Sequence, residues 1–438
     1  MSDTHAESIA FVQREPIPAA PPPANETGPV KWIRANLISS PANAVLTVLA
    51  ILAIWWLLSS VLPWMLNGVW FTGSLAGCRE VLQGESGACF SVLTDRWSQL
   101  IFGRYPSSLY HRPVIAFLLA FPAFAPVLYP RLPRKMLILT GLFPFIAYWL
   151  IWGGSILGPL TVIAGIALGY VAFTFTARWS FALALVTGLV AAILSTVLIS
   201  AIIAELFNVD GPGRVDFIEL RPVASRDIGG FMLNLILGVT GLTLALPLGI
   251  LLALGRQSRM PIVTMICVIF IEFVRGVPLI TLLFVANVVL AYFLPPGTNF
   301  DLILRVVIMI TLFAAAYIAE VIRGGLAALP RGQYEAADSL GLDYAQAMRL
   351  IILPQALKIS IPGIVNIAVG LFKDTTLVSV ISMFDLVGMI RGPILASTDW
   401  NGIYWELFGF AALLFFVVCY GISQYSQWLE RQLQTDHR

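Results

Sequence analysis

At 438 residues the chain is long enough for two or three soluble domains, yet 58% hydrophobic and 11% charged residues with a mean hydropathy of +0.87 exclude a soluble core. This is the composition of a polytopic membrane protein. A net charge of +2, with Lys and Arg spread among loops, is too small to argue for nucleic acid as a partner, and four cysteines without a C-x-x-C, with His5, His111 and His437 all outside apolar runs, suggest no metal site.

Residues 1 to about 30 hold Pro16, Pro18, Pro21 to Pro23 and Pro29 among small and polar residues. Such a segment buries too little apolar area to offset its ordering entropy, so 1–42 reads as a disordered cytoplasmic tail. The charged start, apolar centre and cleavage site of a signal peptide do not occur there in order, so the first span is expected to remain as an anchor. Ten apolar runs follow, near 43–62, 113–130, 136–152, 157–176, 181–204, 229–254, 261–293, 302–322, 355–382 and 403–424. Each approaches the roughly 20 residues that cross a bilayer, and Gly276 with Pro278 is expected to kink the long seventh run. The expected fold is all-α with about ten transmembrane helices.

With the N-terminus in the cytosol, Arg131, Arg134 and Lys135, then Arg178, Arg256 and Arg259, Arg331 and Arg349, and Arg431 fall in alternate loops on one side. The opposite loops carry compensated charge, such as Asp210, Arg214, Asp216, Glu219, Arg221, Arg226 and Asp227. Both termini are then cytoplasmic. The largest outside piece is about 65–112, where Phe90, Leu93, Trp97, Leu100 and Ile101 recur at helical spacing opposite Asp95, Arg96 and Gln99, as expected of a helix along the membrane surface. In an oxidising compartment Cys78 and Cys89 at its start can close a small loop. Cys267 and Cys419 lie inside spans as small hydrophobes.

The halves differ in chemistry. Runs one to five contain no Asp, Lys, Arg or His, whereas Glu272 with Arg275, Glu320 with Arg323, Lys373 with Asp374, and Asp385 lie in or beside the later runs. A charge near the bilayer centre costs roughly 2.5–3.5 kcal/mol, so each needs a partner or a water-filled surface. Ile271–Gly276 (I-E-F-V-R-G) is echoed by Ala319–Gly324 (A-E-V-I-R-G), and in each the Glu and Arg three apart share a helix face. Two readings stand: ion pairs that hold helices together, or the lining of a polar path. Thr375, Thr376 and Ser379 extend the polar series, and Lys373 suits a snorkelling helix end equally well.

Between two late apolar runs lies a polar elbow, Glu335-Ala336-Ala337, three residues, Gly341, nine residues, Ile351-Ile352-Leu353-Pro354. Pro330 favours a helix start at Arg331, and the small pair Ala336 and Ala337 leaves a thin surface able to enter a groove. Gly341 can take the left-handed conformation that ends a helix, and Leu353-Pro354 is expected to break the next one and restart the chain. The plain alternative is an amphipathic loop with no partner.

This E-A-A-x3-G-x9-I-x-L-P spacing resembles the loop of bacterial ABC importer permeases that docks on the ATPase. With I-E-F-V-R-G-V-P at Ile271–Pro278, A-Y-I-A-E-V-I-R-G-G at Ala316–Gly325 and F-K-D-T-T-L at Phe372–Leu377, the chain resembles the polar amino-acid (HisMQ-type) ABC permeases. The extra N-terminal spans, Arg104-Tyr105-Pro106 and the outside cysteines are similar to M-type subunits of general L-amino-acid permeases. Residues 136–228 fit more loosely, and Val277 stands where the family usually has Thr.

The resemblance implies a type I importer transmembrane domain over 229–425, an accessory region over 43–228 and a cytoplasmic tail at 426–438. It further implies a bacterial inner-membrane location, a second homologous permease subunit, ABC ATPase subunits and a periplasmic amino-acid-binding protein. Glu335, Ala336, Ala337, Gly341, Ile351, Leu353 and Pro354 would couple to the ATPase; Glu272, Arg275, Glu320, Arg323, Lys373, Asp374 and Thr375 are candidates for the solute path. None of the four lysines follows a glycine, so no G-K-[ST] loop is present, and ATP with its Mg is expected on the partner. A rival is a stand-alone secondary carrier. A membrane enzyme is weaker, since no H-E-x-x-H or G-x-S-x-G occurs.

Overall fold

The computed structural model describes residues 28–434 apart from 130, 180, 207–218, 290, 291 and 293–300. The tail expected at 1–27 and the loop charges Asp210, Arg214 and Asp216 lie outside the described residues. By internal contacts the chain forms two units. One runs from residue 28 to Val69 with Arg79–Ala88; the other comprises Trp70–Cys78 and the chain from Cys89 onward.

In the first unit, α1 (Gly28–Asn36) occupies part of the stretch read as tail. Ser40, whose hydroxyl accepts from Asn43 N–H at 3.2 Å, and Pro41 at the first turn then start α2 (Pro41–Leu66). No residue of α2 is buried, which its uniformly apolar surface allows only in lipid or against another chain. Ala88 N–H donates to Trp64 O at 2.8 Å and Val69 N–H to Ala88 O at 2.8 Å, pinning the return of the chain.

The second unit is almost wholly helical. After α3 (Leu75–Leu82) come α4 (Ser91–Phe102), α5 (His111–Leu128), α6 (Leu137–Trp152), α7 (Leu157–Thr176) and α8 (Phe181–Leu206). A two-residue ribbon, Gly154–Ser155 against Glu219–Leu220, is antiparallel with Gly154 opposite Leu220. Then follow α9 (Gly230–Arg256), α10 (Pro261–Gly276), α11 (Leu279–Phe284) and α12 (Leu302–Ala327). The chain closes with α13 (Arg331–Ser339), α14 (Tyr344–Ala347), α15 (Leu353–Asp374), α16 (Leu386–Met389) and α17 (Trp405–Gln434). Among the described residues nine helices are long and apolar enough to cross a membrane, or ten when the α10–α11 pair, bent by 102°, counts as one. The bend falls at Gly276, Val277 and Pro278.

The core is centred on α12, whose Ile310, Ile318 and Ile322 are fully buried with Leu233 and Leu237 of α9 and Ala356 of α15. Lipid tails are as apolar as Ile, so this association rests on close van der Waals fit, for which small residues are required. A Cβ on Gly249 would meet Ile318 Cγ2 at 2.6 Å, so α9 and α12 approach as only glycine permits. Tyr105, Ile151 and Val223 join the same core, and Tyr105 O–H donates to Ile151 O at 2.8 Å. Burial holds the Tyr105 phenol above its ordinary range, with Arg112 opposing.

Three expectations are corrected. The helix predicted along the membrane surface is α4, but Val92 and Leu100 are fully buried, and it packs on α9, α16 and α17. An apolar stripe suits protein as well as lipid, and the crossing of α4 with α9 selects protein: Gly103 (φ +67°) and Gly230 (φ +62°) leave no room for a Cβ on either backbone. The last helix continues to Gln434, well past 425, through the stretch read as tail. Leu353-Pro354 does not break the chain: Tyr344–Ile381 passes as one long helix. A widened turn over Met348–Ile352 precedes Pro354, which then stands in the first turn of α15, where its missing N–H and ring do least harm.

Candidate functional site

Three arrangements follow from this frame. The first is a charged cluster. Glu320 is two turns before the end of α12, about 10 Å from its last residue at the helical rise. Its carboxylate gathers three arginines. Arg323, one turn on, donates from Nε and Nη2 to Oε1 at 2.9 and 2.6 Å; Arg256, the last residue of α9, donates to Oε2 at 3.2 Å; Arg275 of α10 lies 3.6 Å from Oε2. Arg256 Nη1 is also 2.9 Å from Glu272 Oε1, and Arg275 is 3.7 Å from Glu272 Oε2. Three cations face two anions. The Arg275 guanidinium also lies 5.8 Å above the Tyr317 ring. Glu320 is 23% exposed and Glu272 52%, so a low-dielectric side strengthens the pairs while the other side stays reachable.

Both Glu/Arg pairs read from the sequence are present, and the structure joins them into one site. Arg256, read only as an orientation signal, is the residue that joins them. Lys373, Asp374 and Thr375 do not enter it: among the described residues, no ion pair or hydrogen bond links them to the five charged groups. Lys373 is exposed.

Thr375 instead belongs to a buried polar knot. Asn234 of α9 donates through Nδ2 to Thr375 Oγ1 at 2.9 Å and to Asp385 Oδ2 at 3.1 Å, while its Oδ1 accepts from Leu386 N–H at 3.1 Å. Asp385 caps α16, accepting from Gly388 N–H at 2.9 Å and Val387 N–H at 3.3 Å. All three side chains are fully buried. Desolvation pushes the Asp385 carboxyl up to about 6, the hydrogen bonds from Gly388, Asn234 and Val387 acting against it. Asn234 was missed; its signal was the one amide inside the apolar run 229–254.

The third arrangement is the elbow. α13 ends in paired hydrogen bonds, Leu342 N–H to Ala337 O (3.2 Å) and Gly341 N–H to Asp338 O (2.9 Å), with Gly341 at φ +69°. This cap needs the left-handed conformation that glycine adopts freely. Asp343 and Gln346 then form a capping box that starts α14. Ala337 and Ile352 are fully buried, whereas Glu335, Ala336 and Gly341 are exposed beside Leu340 (73%), Tyr344 (61%) and Leu350 (63%). Gln355 Nε2 donates to Gln333 Oε1 at 3.0 Å, fastening α13 to α15. Burial, with Tyr344 nearby, raises the Tyr334 phenol above its ordinary value.

Near the other end, Cys78 and Cys89 are disulfide-bonded, with Cα atoms 5.9 Å apart. Cys89 N–H donates to Glu406 Oε1 at 2.9 Å, and Trp400 Nε1 to Asp95 Oδ2 at 2.8 Å.

A unit of many apolar helices long enough to cross a bilayer, with a helix-turn-helix elbow at one end, defines a polytopic helical membrane protein. Residues 245–434 match the family model of the binding-protein-dependent transport system inner membrane component. The chain is 52% identical, over all of both chains, to a Rhodobacter capsulatus glutamate/glutamine/aspartate/asparagine transport system permease protein. It is 37% identical to an Escherichia coli inner membrane amino-acid ABC transporter permease, covering 95% of this chain and 96% of that one. A solved amino acid ABC transporter structure matches 46% of this chain and 92% of that chain at 32% identity and a TM-score of 0.42. The chain belongs to the amino-acid ABC transporter permeases. It is a multi-pass membrane transport subunit and not an enzyme; in these transporters ATP hydrolysis resides in a separate ATPase.

Proposed function

We propose that this chain forms the solute pathway of an ATP-driven importer for acidic amino acids and their amides, together with a second homologous permease subunit. The elbow from Glu335 to Pro354 faces the cytosol with both termini and docks on an ABC ATPase, which binds ATP and Mg. A periplasmic binding protein delivers the amino acid from the opposite side. ATP-driven closure of the ATPases moves the helices behind the elbow, exchanging inward-open for outward-open forms, and hydrolysis resets them.

The exposed elbow is the observation that carries this reading. Its rigid caps present small residues and apolar side chains to a partner while Ala337, Ile352 and Gln355 tie it to the transport unit. The solute class is supported by the glutamate, glutamine, aspartate and asparagine for which the 52% identical relative is named, and by the excess of arginine over glutamate in the Glu320 cluster. The test is co-purification of the tagged chain with an ATPase, then proteoliposome uptake of labelled glutamate, glutamine, aspartate and asparagine with binding protein and ATP. Uptake by the single chain without nucleotide would instead favour a stand-alone carrier.

A further inference from the structure

At the end of the unit opposite the elbow, where α9 and α12 begin, a cavity of about 510 Å³ opens between the Arg104 segment, the 224–228 segment and the 382–384 loop. Its size falls within the range of roughly 300–1,000 Å³ common to small-molecule sites. Among the described residues three charged side chains line it: Arg104, Arg226 and Asp301. All three are exposed, so a solute can reach them.

Each has spare capacity. The Arg104 guanidinium lies face-on over the Phe384 ring, 4.1 Å from its centroid, which leaves the edge donors of the fork unused. Among the described residues neither Arg104 nor Arg226 has an acidic partner. Asp301 caps α12 through a single oxygen, Oδ1, which accepts from Ile303 N–H at 2.9 Å and Leu304 N–H at 3.2 Å. Among the described residues its Oδ2 takes no hydrogen bond. The site therefore offers two unpaired cations and half a carboxylate across an apolar wall that includes Phe384.

A simple anion would satisfy the arginines and be repelled by Asp301. A free α-amino acid with a terminal carboxylate or amide satisfies all three: its carboxyl groups on the guanidiniums, its ammonium on Asp301. We infer that this cavity is an outer binding site for such an amino acid, occupied before the solute reaches the Glu320 cluster. The assignment rests on the importer reading for its direction of travel. The floor of the site is held in place, because Gly230 N–H donates to Phe384 O at 2.8 Å beside the Asn234–Asp385 knot.

The test is equilibrium binding of labelled L-glutamate to the complete transporter in phosphatidylcholine nanodiscs, without nucleotide or binding protein. Saturable binding is expected, displaced by L-glutamine and not by succinate or inorganic phosphate. Arg226→Gln and Asp301→Asn should each weaken it about tenfold or more, as loss of one charge-assisted contact implies. Asp301→Asn keeps a good helix cap, and an unchanged thermal midpoint would show that folding is intact. The Gly341→Asp complex, expected to lose ATP-driven uptake, should bind as the parent does. Absent binding, unchanged affinity in both variants, or equal displacement by succinate or phosphate would overturn the assignment. Wild-type uptake that persists alongside absent binding removes the site alone; absent uptake alongside variant-sensitive binding removes the importer and leaves the site.

Discussion

Arg256 on α9 and Glu320 on α12 are 64 positions apart in sequence, yet Arg256 Nη1 and Glu320 Oε2 are 3.2 Å apart, and the same nitrogen holds Glu272 of α10 at 2.9 Å. One guanidinium thus ties three helices at the elbow end of the unit.

Glu320→Ala should lower stability and change uptake. The substitution leaves three arginines facing Glu272 alone. For partly exposed partners a loss of about 1–3 kcal/mol is expected, between surface and buried ion pairs. Uptake per correctly assembled complex, alongside thermal unfolding, checks it. If uptake per complex is unchanged, the cluster only holds helices together.

Gly341→Asp should abolish transport while the protein remains in the membrane. A side chain at φ +69° is strained, and the new charge enters the proposed docking surface. Gly341→Asn, which tolerates the left-handed region, should retain part of the activity. Normal uptake by the Asp variant would contradict the coupling role.

Stability should fall as pH rises from about 4 to about 6. The folded chain keeps the Asp385 proton to about 6, whereas in the unfolded chain it is lost near 3.8. Between those values the native state binds more protons, so rising pH favours unfolding, by an amount on the order of 3 kcal/mol. Above about 6 the contribution is flat. Thermal unfolding across this window measures the slope, and Asp385→Asn should remove it whatever that variant's absolute stability.

Mass spectrometry without reduction should find the Cys78–Cys89 linkage, and Cys89→Ser should cost stability. Its sequence separation of 11 closes a short loop, for which about 2–3 kcal/mol is expected. Two free thiols in the native protein would refute the bond.

Leu100→Ala should destabilise by about 2–5 kcal/mol, since the side chain is fully buried under α4. A helix lying on lipid would barely respond. Denaturation of the detergent-solubilised variant decides between the two.

Local rules made much of this legible. The i, i+3 spacing put Glu272 with Arg275 and Glu320 with Arg323, the Gly276–Pro278 pair marked the bend, and Gly341 marked the end of α13. What escaped was tertiary. No periodicity tells that Arg256 reaches both α10 and α12, that Asn234 meets Thr375 and Asp385 from far along the chain, or that Leu100 faces protein. In a membrane chain apolar means lipid or core alike, so helix faces stay undecided until packing is known. The Pro354 turn escaped for another reason: a widened helical turn can absorb a proline, and sequence alone does not register it.

Because the widened turn keeps the chain helical, Tyr344–Ile381 is a single rod of 38 residues, about 57 Å at the α-helical rise. Tyr344 at one tip is exposed on the elbow, and Ser382 at the other opens the loop that walls the Arg104 cavity. A hinge at Pro354 would dissipate a push from a partner docked on the elbow; a continuous helix would carry it to the Ser382 loop.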